Sequence, residues 1–357
     1  MGTLRVQDLE LKLNQSVILQ NVDLEASAGA LTVISGLSES GKTSLLRSIA
    51  GFEKPQRGAV VLDGKDVSQL SPSQRSISLL NQKNALFTHL SVAKNVAMAL
   101  RGEDLNDAET AQNVSWILDA LGMSEVADRK PHQLTGSQHQ LAALARSILA
   151  RSTCLLLDEP LTSLDRVQKQ ALFNLIREVS REREISVLLA TQDLESCLPY
   201  ADSVAVLSDG RIVQSGAPDE IYRRPLSVEV ARQFPAFNIL EGKIILAEAG
   251  MLLVSTQLGD LAGVPVNADA EFSPDECVDI AIRPESLHCD LMAPEENAFA
   301  VTIQEAGYFG YHADLKVLAN ELSLTVRIPN PQSRQPYLMD SEMFAWVDSD
   351  DVVVMKR

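Results

Sequence analysis

The sequence predicts an α/β core built around an anion-binding loop, with a helical insertion, followed by a small all-β domain. Three observations carry this. A Gly/Ser-rich loop lies between an apolar strand pattern and a helical one. Short apolar runs separated by a helical segment return downstream. Beyond Asn238 the chain turns to short strand-like pieces separated by Gly, Pro and Asn.

From the start, apolar residues recur mostly at every second position, as Leu4, Val6, Leu9, Leu11 and Leu13, then Val17, Leu19, Val22 and Leu24. This predicts antiparallel strands, with turns or bulges where the alternation breaks. The run Leu31-Thr32-Val33-Ile34 leads into Ser35-Gly36-Leu37-Ser38-Glu39-Ser40-Gly41-Lys42-Thr43, and Leu45, Leu46, Ile49 and Ala50 then repeat with helical spacing. Strand, loop and helix in that order fit the phosphate-loop pattern G-x-x-x-x-G-K-[ST]. Glycines let successive backbone N–H groups turn onto an anion, and the following helix N-terminus favours negative charge. Gly36 to Ser44 is therefore the candidate nucleotide site, with Lys42 bridging the β- and γ-phosphates and the Thr43 hydroxyl ligating Mg²⁺.

After that helix, Ala59 to Leu62 reads as a strand entering the turn Asp63-Gly64, and Ile77 to Leu80 as a buried strand ending at Asn81-Gln82. Ser91 to Leu149 is mainly helical, interrupted at Gly102, Gly122 and Pro131. Parallel-sheet character returns with Cys154 to Leu157, Ile185 to Ala190 and Val204 to Leu207. In the tail, Val278 to Ile282, Leu315 to Leu318, Leu322 to Ile328 and Val352 to Met355 predict a small β-barrel.

The strand ending in Leu157-Asp158-Glu159-Pro160 supplies what a phosphate loop lacks. Asp158 at its C-terminal end suits the Mg²⁺ shell, and Glu159 beside it suits polarisation of an attacking water.

The order of these motifs resembles the ATP-binding subunits of ABC transporters, specifically importer ATPases with a C-terminal TOBE-type domain. Gln82 and the segment Ala85 to Val92 resemble the Q-loop, Leu134-Thr135-Gly136-Ser137-Gln138 stands where the family carries L-S-G-G-Q, Leu161 to Asp165 resembles the D-loop, and Ile282-Arg283-Pro284-Glu285 a TOBE segment. The resemblance implies a phosphate-loop ATPase core with a helical subdomain and an OB/TOBE-like tail. It implies a nucleotide-binding domain over 1–235, its helical subdomain at about 85–152, and a regulatory domain over 238–357. It further implies that Gln82 senses Mg²⁺ and nucleotide, that Thr135, Gly136, Ser137 and Gln138 face the γ-phosphate on a second ATPase subunit, and that Gln192 occupies the switch position. A homodimer or heterodimer would then drive integral permease subunits, fed by a solute-binding protein, from the cytoplasmic face of the inner membrane.

Five positions depart from the family, two of them in the signature segment. Glu39 replaces a glycine of the loop, where a carboxylate turned inward would cost roughly a few kcal/mol by repulsion. Ser137 replaces a glycine and Thr135 a serine; Gln192 replaces a histidine and cannot carry its charge. Leu13 stands where an aromatic ring often stacks on adenine, and offers apolar contact only. These changes leave two readings open, a hydrolysing importer subunit or a module that binds ATP and dimerises with little turnover, and retention of Glu159 favours the first.

Composition narrows the remainder. From Asn238 onward, 20 acidic residues face 7 basic ones, a net of −13 out of the chain's −17. An acidic tail argues against nucleic acid or an anionic membrane surface as its partner. The opening residues run directly into strand-like sequence, which predicts no secretory leader. The four cysteines form no C-x-x-C pair and read as reduced thiols, Cys154 in the core. The five histidines show no metal-ligand spacing and read as surface or loop residues, His312 among them.

Overall fold

The computed structural model describes residues 2–81, 86–248, 250–267, 270–292, 294, 296–329, 331 and 340–357. Gln82, the expected nucleotide sensor, lies outside the described residues. The chain divides into two compact units, Met1–Pro218 and Asp219–Arg357.

In the first unit, β1 (Leu4–Leu13) and β2 (Ser16–Ala26) form an antiparallel pair. The expected breaks in alternation appear as register shifts between Val6 and Leu9, Leu9 and Leu11, and Leu11 and Lys12. β4 (Arg57–Leu62) pairs with β1, and the two-residue β5 (Lys65–Asp66) completes a sheet of order β2-β1-β4-β5. The second sheet contains β3 (Leu31–Ser35), β6 (Ile77–Leu80), β7 (Cys154–Asp158), β8 (Ser186–Thr191), β9 (Ser203–Ser208) and β10 (Arg211–Gly216), in the order β10-β9-β3-β8-β7-β6. All its neighbours are parallel except β9 and β10. Every residue of β3, β7 and β8 is buried, the pattern of strands covered on both faces.

Helix α1 (Lys42–Ala50) lies between the two sheets. Its Leu45, Leu46 and Ile49 pack with Leu4, Leu9 and Leu11 of one sheet and with Leu156, Leu188 and Leu207 of the other. Burying each such side chain contributes about 1.5–3 kcal/mol, so this helix and the loop that feeds it are held from both sides. Its far end is held by a buried cation. Arg75 donates to Ser48 O and Ile49 O in the last turn, and to Ser68 O and Leu70 O, which satisfies carbonyls a helix end leaves unpaired. Burial lowers its pKa, and nearby Asp66 counters this in part.

The insertion contains α2 (Val92–Ala97), α3 (Asp107–Ala120) and α4 (Gly136–Leu149), in mutual contact. Buried Asn95 accepts from Phe87 N and donates to Phe87 O, Leu90 O and Ser91 O, pinning the segment that enters α2. α5 (Arg166–Arg183) packs against β3 and β8, and α6 (Leu194–Cys197) follows β8. Cys154 is fully buried, as expected, and burial pushes its thiol up to about 12.

Helix α7 (Pro218–Arg223) begins at the division, and α8 (Val228–Ala231) lies within the second unit. Where one barrel is expected, the tail builds two β structures. β11 (Asn238–Glu248), β12 (Met251–Thr256), β13 (Gly259–Pro265), β14 (Cys277–Ile282) and β20 (Val353–Lys356) close a barrel in the order β11-β12-β13-β20-β14. β15 (Leu287–Asp290), β16 (Ala298–Tyr308), β17 (His312–Ala319), β18 (Leu322–Pro329) and β19 (Glu342–Val347) form a sheet of order β15-β19-β16-β17-β18. One apolar core serves both, with Ile280 and Val354 from the barrel and Leu315 and Val326 from the sheet. The chain's last strand closes the barrel, so the second sheet is an excursion between β14 and β20.

His312 is a correction to the sequence reading. It is buried rather than superficial, stacked on Phe309 with ring centroids 4.8 Å apart. Beside it Arg327 makes two 2.8 Å hydrogen bonds to Asp314. Among the described residues, no helix is long and apolar enough to cross a membrane.

Candidate functional site

The anion site is set by the turn out of β3. A Cβ on Gly36 would lie 2.3 Å from Leu207 O and 2.5 Å from Ser40 Oγ, so the chain turns here only with glycine. Gly41 has φ 105° and caps α1 without a side-chain hydrogen bond, and no acidic residue occupies the first turn. The helix N-terminus thus keeps amide donors for an anion. Ser40 Oγ is buried with no hydrogen-bond partner among the described residues, an orphan that fits a phosphate oxygen. Leu37, Ser38 and Glu39 form the exposed crest of the loop, and Ser44 is half-buried behind it in α1.

Lys42 Nζ folds back on the loop, donating to Gly36 O at 2.7 Å and Leu37 O at 2.9 Å. Burial lowers the Lys42 pKa, and the carboxylates of Glu159 and Asp158 oppose that shift. Thr43 Oγ1 lies 3.1 and 3.0 Å from the two oxygens of Asp158. Burial pushes Asp158 above the usual carboxylate range; the Thr43 hydrogen bond pulls it back, Glu159 raises it further, and Lys42 and Arg47 lower it. Phosphate loop and strand end, 115 residues apart, thus meet in one constellation.

Glu159 follows with φ 48°, a left-handed conformation uncommon for a non-glycine residue. Its N–H donates to Ala190 O at 2.9 Å. Its Oε2 accepts from Thr191 Oγ1 at 3.2 Å and from Gln192 N at 3.4 Å. Its Oε1 is buried without a partner among the described residues. An open cleft of about 370 Å³ is lined here by Glu159, Thr162, Lys169, Thr191, Gln192 and Asp193. The Gln192 side chain is exposed, and the residue reaches Glu159 through its backbone. Lys169 Nζ holds Asp193 Oδ2 at 2.6 Å. Burial alone would raise the Asp193 pKa, but hydrogen bonds from Lys169 and Ser196 leave it below the ordinary value.

The other expected residues stand apart from this constellation. Thr135 caps α4: its Oγ1 accepts from Gln138 N, Gln138 Oε1 accepts from Thr135 N, and Ser137 Oγ sits 3.2 Å from Thr135 Oγ1. Gly136 is exposed, with open space where a Cβ would be. These side chains satisfy one another at a free helix N-terminus. Leu13 ends β1 opposite Ser16, half-buried against the first unit's core.

One residue enters that the sequence reading passes over within the helical stretch from Ser91 to Leu149. Gln140, 3% exposed, donates through Nε2 to Glu159 O at 3.3 Å and accepts through Oε1 from Ser163 N at 3.1 Å. The available signal was its place at i, i+4 and i+8 with Leu144 and Ile148, a polar residue on an apolar stripe.

The family model for the ABC transporter matches residues 19–162, and that for the TOBE domain residues 280–355. The spermidine/putrescine import ATP-binding protein PotA of Oleidesulfovibrio alaskensis is 34% identical over 91% of this chain and 86% of its own. The putrescine transport ATP-binding protein PotG of Escherichia coli is 34% identical over 88% of this chain and 83% of its own. Among solved structures, an ATP-binding subunit of an ABC transporter superposes with a TM-score of 0.56 at 23% identity, covering 62% of this chain and 92% of that one. A dimeric post-hydrolysis ATP-binding cassette bound to ADP and Pi gives 0.55 at 23%, covering 60% and 98%, a likeness of fold.

Proposed function

The chain belongs to the ATP-binding subunits of ABC importers that carry a C-terminal TOBE domain, and on that basis we propose that Glu159 is the base of its ATPase reaction and that Thr43 and Asp158 hold Mg²⁺. It is an ATPase that energises import of a small solute. The observation that carries the assignment of the base is the division of labour within one carboxylate. Oε2 is held by Thr191 and Gln192, while Oε1 is buried with no partner among the described residues. An oriented carboxylate with one free oxygen is what removing a proton from water requires.

The residues present fit the metal. A hydroxyl and a carboxylate are hard oxygen donors, and Mg²⁺ commonly binds through one or two such groups plus phosphate oxygens. Once bound, Mg²⁺ neutralises charge on the β- and γ-phosphates. The chain does the rest. Amides from Gly36 to Ser44 and the Ser40 hydroxyl receive the phosphates, and Lys42 exchanges its two loop carbonyls for phosphate oxygens. Glu159 takes the proton of water at Oε1, with Gln192 beside it as a neutral neighbour. Gln82 is proposed from its motif alone, and Leu13 as the apolar floor for adenine. The N-terminus of α4, from Thr135 to Gln138, is proposed to face ATP held by a second copy or a related subunit.

We further propose 1–235 as the nucleotide-binding domain and 238–357 as the regulatory one, peripheral on the cytoplasmic face of the inner membrane. The membrane partners are integral permease subunits fed by a solute-binding protein, and the solute is an aliphatic polyamine, by analogy with the relatives' names. Mg²⁺-dependent turnover of ATP by the purified protein, lost in Glu159→Gln, tests the chemistry. Co-purification with its permease and uptake of labelled putrescine by the reconstituted complex test the rest; uptake of a different solute class would overturn the polyamine reading.

A further inference from the structure

We propose that Gln140 is a positioning residue that ties the N-terminal turn of α4 to the Glu159 carboxylate. This rests on the reading of Glu159 as the base.

The geometry of Glu159 is fixed through its backbone. A non-glycine residue at φ 48° persists only where its surroundings determine it. The Glu159 N–H is anchored on β8 through Ala190 O. Its C=O accepts from two side chains, Gln140 Nε2 at 3.3 Å and Thr162 Oγ1 at 3.2 Å. The other end of the Gln140 amide accepts from Ser163 N at 3.1 Å, four residues further along the same loop. One buried amide therefore grips the loop after β7 at two points and sets the peptide plane from which the Glu159 side chain projects.

The opposite end of this link is a rigid rod. Gln140 lies one turn into the 14-residue α4, whose Leu141, Leu144, Ala145, Ile148 and Leu149 are all buried. Close-packed interiors transmit displacement rather than absorb it. A shift of the α4 N-terminus on meeting a ligand moves Gln140, and Gln140 moves the carbonyl of Glu159 and the amide of Ser163 together. A long polar side chain satisfied at both ends is costly to leave half-paired, so the link stays closed unless α4 itself moves. Gln140 acts on the reaction only through Glu159 and touches no reacting atom.

The test uses the full chain with Gln140→Met, which keeps the volume and removes both hydrogen bonds, and Gln140→Glu. For Gln140→Met we expect kcat to fall about 10- to 100-fold, up to the lower end of general-base effects because the base is misplaced rather than lost, with KM for ATP within about 3-fold and melting temperature nearly unchanged. Without nucleotide, the Ser163 amide exchanges hydrogen at least about 10-fold faster, the expected result of opening its bond. Gln140→Glu keeps the acceptor for Ser163 but donates to Glu159 O only when protonated. Its kcat should therefore recover towards wild type as pH falls from about 8.5 to about 6.5, a range documented for buried glutamates.

Wild-type kcat in Gln140→Met overturns the proposal, as does a loss that follows melting temperature or KM. A Gln140→Glu pH profile that parallels wild type also overturns it, and that variant decides the matter if Gln140→Met does not fold. Retained turnover in Glu159→Gln would overturn the base reading instead. Loss there with none in Gln140→Met would overturn this proposal alone.

Discussion

The Thr43 hydroxyl sits 3.1 and 3.0 Å from the two oxygens of Asp158, joining the first turn of α1 to the end of β7. The contact occupies the donor set proposed for the metal. Asp158 is held above the ordinary carboxylate range chiefly by burial. A raised folded-state value means the protonated form is favoured on folding, so this group's contribution to stability is full below the unfolded value near 3.9 and is lost as pH rises through the folded one. Mg²⁺ needs the ionised form. Apparent Mg²⁺ affinity, followed by ATP turnover against metal concentration, should weaken as pH falls through the raised value, and Asp158→Asn should flatten that dependence while raising the metal requirement at least about 10-fold, the scale of losing a ligand contact of about 1.4 kcal/mol.

Glu159→Gln keeps the shape and the acceptor for Thr191 and Gln192 N–H but cannot take a proton. Turnover should fall about 10²- to 10⁴-fold. Binding of ATP, measured by equilibrium titration with a fluorescent analogue, should stay within a few-fold of wild type. Equal losses in both would show that Glu159 binds rather than reacts.

Glu39 occupies the loop crest at φ 65°. A side chain in the left-handed region costs about 1–2 kcal/mol, which glycine avoids, though glycine gives some of that back through the freer unfolded chain. Glu39→Gly should raise the melting temperature by a few degrees and lower KM for ATP several-fold through removal of a like charge. A lower melting temperature with unchanged KM would mean the carboxylate has a stabilising contact of its own.

Gln192→His should place an imidazole beside Glu159 and add to kcat a dependence near pH 6–7, the range in which histidine titrates. Steady-state rates from pH 5.5 to 8.5 on both proteins measure it. Identical profiles would leave residue 192 with its backbone role alone, the N–H on Glu159 Oε2.

The second unit has its own pH signature. Hydrogen bonds from Arg327 hold Asp314 below the ordinary carboxylate value, against burial, with His312 adding to the lowering. A depressed folded value gives stability that is present above the unfolded value near 3.9 and is lost as pH falls through the folded one. Asp314→Asn should cost about 2 kcal/mol at neutral pH, the scale of hydrogen bonds to charged groups, with the deficit shrinking in acid. Calorimetry of the two proteins from pH 7 to pH 3 is the check.

The phosphate loop and the Asp158–Glu159 pair were legible because each joins a local pattern to a chemical requirement, a Gly-rich turn before a helix and two acids closing an apolar strand. Gln140 was not, because its partners at Glu159 and Ser163 are distant in sequence and a single polar residue on a helical stripe has many explanations. The two-part architecture of the tail is hidden in the sequence for a different reason. β11 shifts register between Ile244 and Leu246 and leaves Ile245 and Leu246 exposed, and β16 shifts between Ile303 and Glu305. Each shift breaks the period of two on which strand reading depends. His312 sits in the flank of β17 beside Phe309, where only the folded hairpin brings the rings together.

Arg75 gives the site a fixed frame of reference. With its guanidinium bolted to the carbonyls of Ser48 and Ile49, and both flanks of α1 embedded in apolar sheets, the helix cannot slide along its own axis without breaking the hydrogen bonds of a buried cation. The phosphate loop is thereby the anvil of the catalytic cycle. Work drawn from hydrolysis must emerge from the parts that can still travel, and an Arg75→Leu variant would let the anvil slip, with ATP still consumed and less of its energy delivered per molecule of solute moved.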